Sequence, residues 1–123
     1  MERNWRLPRR RNRSVTRSRI RFAHESEASL AQLFDFYRVA WLYEPRTFPI
    51  AWDKRGRAVS FFTPDFYLPD FDLYLELTVA KPALNTRKNR KIRLMRDHHP
   101  GVRVKLFTRR DAERVFARAG RAA

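Results

Sequence analysis

The segment from Leu73 to Val79 constrains this chain more than any other. Leu73, Leu75, Leu77 and Val79 alternate with Tyr74, Glu76 and Thr78, the period of two that sends successive side chains to opposite faces of a strand. A carboxylate thus stands in the middle of an apolar strand. An ionised Glu76 there is costly unless something compensates its charge, and a cation would.

The rest of the chain supplies partners for that strand. Ser26 is placed to cap a helix over about 27–40 whose apolar face is Leu30, Leu33, Phe34, Tyr37 and Trp41. Pro45 and Pro49 bracket a short extended piece, Arg46-Thr47-Phe48, and Asp53-Lys54-Arg55-Gly56 reads as a turn. Arg57–Leu68 reads as a second strand and Leu73–Val79 as a third. Pro82 ends the third strand. A helix from about Leu84 to Asp97 carries Leu84, Ile92 and Met95 on one side, and Val102–Phe107 alternates as a fourth strand. Asp111 is placed to cap a last helix that holds Val115 and Phe116. The order is helix, three strands, helix, strand, helix. Three strands close in sequence favour an antiparallel meander, and a fourth reached through a helix favours a parallel neighbour. The expectation is an α/β fold with a mixed four-stranded sheet flanked by helices.

With 123 residues the chain has the length of one domain with a real core. It has no cysteine, which excludes disulfides, thiolate zinc sites and cysteine nucleophiles. Three scattered glycines exclude a phosphate-cradling loop. No apolar run is long enough to span a membrane, and the arginine-rich start lacks the apolar stretch of a signal peptide. The expected location is the cytoplasm of a bacterial or phage-type host, with no membrane partner.

The net charge is +15 and it is unevenly placed. Residues 1–22 hold nine Arg and one Glu, and residues 86–110 hold ten Lys/Arg and one Asp, whereas residues 23–85 hold nine acids and six bases. The first block, with Arg9, Arg10 and Arg11 at its centre and Pro8 breaking it, reads as a flexible basic arm ahead of a domain over 23–123. The second block puts Arg87, Arg90, Lys91, Arg93 and Arg96 on one helix, with Arg103, Lys105, Arg109 and Arg110 beyond it. Such blocks fit a phosphate backbone, and they point to nucleic acid as the partner.

The chemistry lies in Thr63-Pro64-Asp65 followed by Glu76-Leu77-Thr78. Asp65 ends one strand and Glu76 lies within its neighbour, so strand pairing brings the two carboxylates side by side. Carboxylate oxygens, a strand carbonyl such as that of Leu77, and water make the hard oxygen shell that Mg²⁺ or Mn²⁺ prefers.

This segment, with its order of elements, resembles the core of the PD-(D/E)XK nuclease superfamily over about residues 26–110. The resemblance implies a restriction-endonuclease-like core and Mg²⁺- or Mn²⁺-dependent hydrolysis of DNA phosphodiester bonds. It matches Asp65 and Glu76 to the metal-binding acids and Glu27 to an additional helical ligand, with Glu25 as the alternative. So small a core implies selectivity for DNA structure rather than sequence, and it is compatible with a homodimer. The departure is Thr78, which stands where the superfamily carries its catalytic lysine. A threonine hydroxyl can hold a water but supplies no positive charge. Lys81 follows the strand closely but falls on the wrong parity. Lys88 lies four residues from Leu84 and Ile92, on the helix stripe that faces the sheet, and is the better replacement; the bland alternative is a snorkelling side chain.

Other groups carry weaker signals. Adjacent His98 and His99 make a poor metal pair, Asp70 and Asp72 suit a turn, and Phe61, Phe62, Phe66 and Tyr67 suit a core. Two further functions stand beside the nuclease: a catalytically inactive nuclease-like domain that binds nucleic acid, and a small basic RNA-binding protein.

Overall fold

The computed structural model describes residues 20–78 and 86–122. Its elements are α1 (Glu25–Phe36), β1 (Leu42–Tyr43), β2 (Phe48–Trp52), β3 (Ala58–Phe62) and β4 (Phe66–Leu68), followed by a single 3₁₀ turn at Pro69–Phe71. Then come β5 (Leu73–Leu77), α2 (Thr86–His98), β6 (Val104–Phe107) and α3 (Arg109–Ala122). The chain is α/β, with a mixed four-stranded sheet ordered β1-β4-β5-β6 and a separate two-stranded β2-β3 hairpin.

β5 is the axis of the sheet, and all five of its residues are buried. It pairs antiparallel with β4, Phe66 facing Leu75 and Leu68 facing Leu73, and parallel with β6, Tyr74 facing Val104 and Leu77 facing Phe107. The parallel pair with α2 between its strands is the crossover that the element order predicts. Strand parity then separates two apolar layers. Leu73, Leu75 and Leu77 pack with Phe66 and Leu68 against Leu30, Ala31 and Phe34 of α1 and Ala112 of α3. Tyr74, Tyr67 and Val104 face the opposite way, onto Ile92 and Met95 of α2 and Phe48, Ile50 and Phe62 of the hairpin.

The second strand departs from the sequence reading. Arg57–Leu68 is two strands, because Thr63-Pro64-Asp65 interrupts the pairing: proline has no N–H to give a ladder. β3 pairs with β2, whereas β4 joins the main sheet. The main sheet therefore takes its first strand from Leu42–Tyr43, which pairs with Tyr67 and Phe66, and Phe48 belongs to the hairpin instead. The hairpin turn lies where the sequence puts it. Asp53 Oδ1 accepts N–H groups from Arg55 and Arg57 at 2.8 and 2.9 Å, and Gly56 takes φ +83°, a conformation that costs glycine nothing.

Helix ends differ too. α1 begins at Glu25 with His24 as its cap residue and without a side-chain cap, so Ser26 lies inside the first turn. The helix stops at Phe36 because Arg38 turns left-handed (φ 59°), which lets Val39 N–H reach Phe34 O at 2.7 Å. At α3 the cap is Thr108, not Asp111. Asp111 N–H donates to Thr108 Oγ1 and Thr108 N–H donates to Asp111 Oδ2, both at 3.0 Å, a reciprocal capping box. Ile20 and Phe22 pack on the α1 side of the core, so the packed domain takes in residues read from sequence as the end of the arm. Phe61, read as core, is 52% exposed, whereas Phe62, Phe66 and Tyr67 are buried.

Candidate active site

The site forms where β4 ends and β5 runs on. The β4–β5 register pairs 66 with 75 and 68 with 73; extended outward, it sets Asp65 opposite Glu76 and Pro64 opposite Leu77. Pro64 has no N–H, and on the β4 side the ladder stops at Phe66–Leu75, so the Asp65 side chain fills part of the gap beside Leu77. Leu77 N–H donates to Asp65 Oδ2 at 2.8 Å, and Asp65 N–H donates to Glu76 Oε1 at 3.2 Å. Each carboxylate is thus tied to a backbone N–H across the β4–β5 junction, Glu76 to that of Asp65 and Asp65 to that of Leu77, on the sheet face that carries α2.

Lys88, in the first turn of α2, reaches the same place. Its ammonium donates a short hydrogen bond to the carbonyl of Leu77 and stands 3.4 Å from Glu76 Oε2. Thr78 is buried, shares the parity of Glu76, and donates its backbone N–H to Phe107 O at 2.8 Å. Glu27, on α1, is buried, and its Oε1 accepts the Tyr43 hydroxyl at 2.6 Å. Tyr43 in turn accepts Ala23 N–H at 3.1 Å.

Burial sets the electrostatics. Asp65 and Glu76 are 7% and 8% exposed. Desolvation pushes the Asp65 carboxyl up to about 6, aided by the charge of Glu27 and opposed by Leu77 N–H and Lys88. Desolvation and the neighbouring Asp65 push Glu76 up to about 7, with Lys88 pulling the other way. The two carboxylates share one nearby positive charge, the Lys88 ammonium. Burial and Glu27 also hold the Tyr43 hydroxyl above its ordinary range, so it remains a donor.

Beside this cluster lies a cleft of about 310 Å³ lined by His24, Glu25, Ser26, Leu77 and Lys88. The start of α1, the end of β5 and the start of α2 meet there. Glu25 therefore borders the cleft, whereas Glu27 faces Tyr43. His24 and Tyr43 were not legible as site residues: neither belongs to a spaced motif, and only the packing of α1 against β1 and β5 brings them in.

The donor set suits a hard cation: two carboxylates and a strand carbonyl, all oxygen. Among the described residues, no three His, Cys, Asp or Glu side chains form a ready-made metal cluster; the oxygens that the structure brings together are those of Asp65, Glu76 and the Leu77 carbonyl.

The remaining candidates sort by position. Arg87, Arg90 and Arg93 are exposed on α2, and Lys91 lies 5.9 Å over the ring of Phe62. His99 Nε2 is 2.7 Å from Pro49 O, and the rings of Phe48 and His99 lie 5.3 Å apart. His98 sits edge-on to Trp52, so both histidines tie α2 to the hairpin. Asp72 accepts the Tyr67 hydroxyl at 2.7 Å, and Arg103 donates to Phe71 O at 2.8 Å. Arg9, Arg10, Arg11, Lys81 and Leu84 lie outside the described residues. No helix among the described residues is long and apolar enough to cross a membrane. Compared with protein-family models, curated proteins and solved structures, the chain matches none.

Proposed function

We propose that this chain is a divalent-metal-dependent endonuclease of the PD-(D/E)XK type that hydrolyses phosphodiester bonds in structured DNA. One observation carries the reading: Asp65 and Glu76 face each other at the open end of β5, and Lys88 brings an ammonium to within 3.4 Å of Glu76. The lysine that Thr78 replaces in the motif is thereby supplied from α2.

Asp65, Glu76 and the Leu77 carbonyl are the groups that would hold Mg²⁺ or Mn²⁺. When bound, such an ion polarises a phosphoryl oxygen and activates water. Lys88 sets a positive charge where the attacked phosphate gains negative charge, and the Thr78 hydroxyl is suited to hold a water. Arg87 precedes Lys88, and Arg90 and Lys91 follow one turn on, so a phosphate track leads along α2 from the cleft. The arm adds affinity without base readout.

The test is incubation with branched, nicked, mismatched and single-stranded DNA, with Mn²⁺ or with EDTA. Metal-dependent cleavage is expected, abolished in Asp65→Asn and reduced by two or more orders of magnitude in Lys88→Met with DNA affinity little changed. Tight binding without cleavage by the wild type under any metal would make the domain a binding module and refute the enzyme.

A further inference from the structure

Lys88 is placed against its own helix. A cation in the first turn of a helix opposes the helix dipole, and α2 has no acid in that turn to offset it. The ammonium is held instead by oxygens of another element, the Leu77 carbonyl and Glu76 Oε2. The β4–β5 ladder stops at Phe66–Leu75; continued outward it would set Pro64, which has no N–H, opposite that carbonyl, while the Leu77 N–H is taken by Asp65. The Pro-Asp pair therefore does more than present a carboxylate: it strips one strand carbonyl of its ladder partner and turns it into a cation ligand.

We propose that Lys88 is the built-in counter-ion of the metal-free site, occupying the oxygens that a divalent cation takes, and that loading the cation displaces its ammonium into the adjoining cleft, where it meets the substrate phosphate. The inference rests on the reading of Asp65 and Glu76 as a cation site. An ammonium and a divalent ion repel each other at this range and cannot share both oxygens. The side chain is 39% exposed and borders the 310 Å³ cleft with His24, Glu25 and Ser26, so a four-carbon stem has room to swing. Metal and lysine thus act in order: the charge that quiets the buried acids without metal becomes the phosphate-facing charge with it.

The experiment is calorimetric titration of the full-length wild type, Lys88→Met and Lys91→Met with Mn²⁺, without nucleic acid. Lys91→Met removes the same charge from the same helix without touching Leu77 or Glu76. Lys88→Met is expected to bind Mn²⁺ roughly tenfold tighter than wild type, the scale of one partly screened charge pair, and Lys91→Met less than about twofold tighter. In the wild type, the Lys88 ¹³Cε resonance is expected to move on titration with Mg²⁺, a readout that needs no variant. Measurable wild-type binding that Lys88→Met leaves unchanged or weakens, or a Lys88 resonance that stays still as Mg²⁺ binds, overturns the inference and spares the metal site. Absence of binding in all three proteins refutes the metal site itself.

Discussion

Replacing Glu76 with Gln isolates the cost of charge in the site. The amide keeps the size of the side chain and an oxygen to accept Asp65 N–H, now at 3.2 Å, but it cannot ionise. Glu76 holds its proton up to about 7 in the fold against an ordinary value of 4.5. A folded value above the unfolded one means that the protonated side chain favours the fold. That contribution is fully present below about pH 4.5 and is lost as pH rises through about 7. Proton linkage is worth about 1.4 kcal/mol per pH unit for each proton, so across this window the metal-free wild type loses on the order of 3 kcal/mol that Glu76→Gln does not lose. That loss is already net of the pairing with Lys88, which pulls the folded value down. In EDTA the two proteins should melt together near pH 4.5. By pH 8 the variant should be the more stable by roughly 3 kcal/mol, about 12 °C in Tm for a domain of this size. Thermal melts followed by circular dichroism from pH 4.5 to 8 measure this directly. Mn²⁺ should then raise the Tm of the wild type and leave Glu76→Gln unmoved, because only the former has the full ligand set. Parallel curves for the two proteins in EDTA would refute the reasoning.

Two smaller perturbations test the frame around the site. Thr108→Ala removes one half of the α3 capping box and should cost about 1 kcal/mol in urea unfolding; an unchanged midpoint would mean that Asp111 caps alone. Deleting residues 1–19, which spares the packed Ile20, should flatten the salt dependence of DNA binding by roughly 0.9 log unit per log salt for each phosphate that the arm neutralises, with no change in preference among DNA structures; an unaltered slope would show that the arm does not touch the backbone.

The pairing of Asp65 with Glu76 was legible because it depends only on local pattern. A period of two locates Glu76 on one strand, Pro64-Asp65 marks the end of another, and a short connection through Pro69 forces the two strands into antiparallel register. Lys88 was legible for a similar reason: its spacing of four from Ile92 puts it on the buried stripe of α2, and the structure turns that stripe to the sheet. The parallel return of β6 followed from chain connectivity and from the helix between it and β5.

Tertiary structure alone decided the rest. A run of β-forming residues from Arg57 to Leu68 does not announce that its halves serve two different sheets, because strand propensity is silent about partners. That Leu42–Tyr43 becomes an edge strand depends on Phe66 and Tyr67 lying beside it, not on two residues' own preference. The use of Glu27 depends on Tyr43 reaching it across 16 positions of sequence, and the presence of His24 at the cleft depends on how α1 docks. Local periodicity determines which face a side chain takes, since that is fixed by backbone geometry within a few residues. What the face meets is set by packing between distant segments, and that is where one carbonyl of Leu77 finds its lysine.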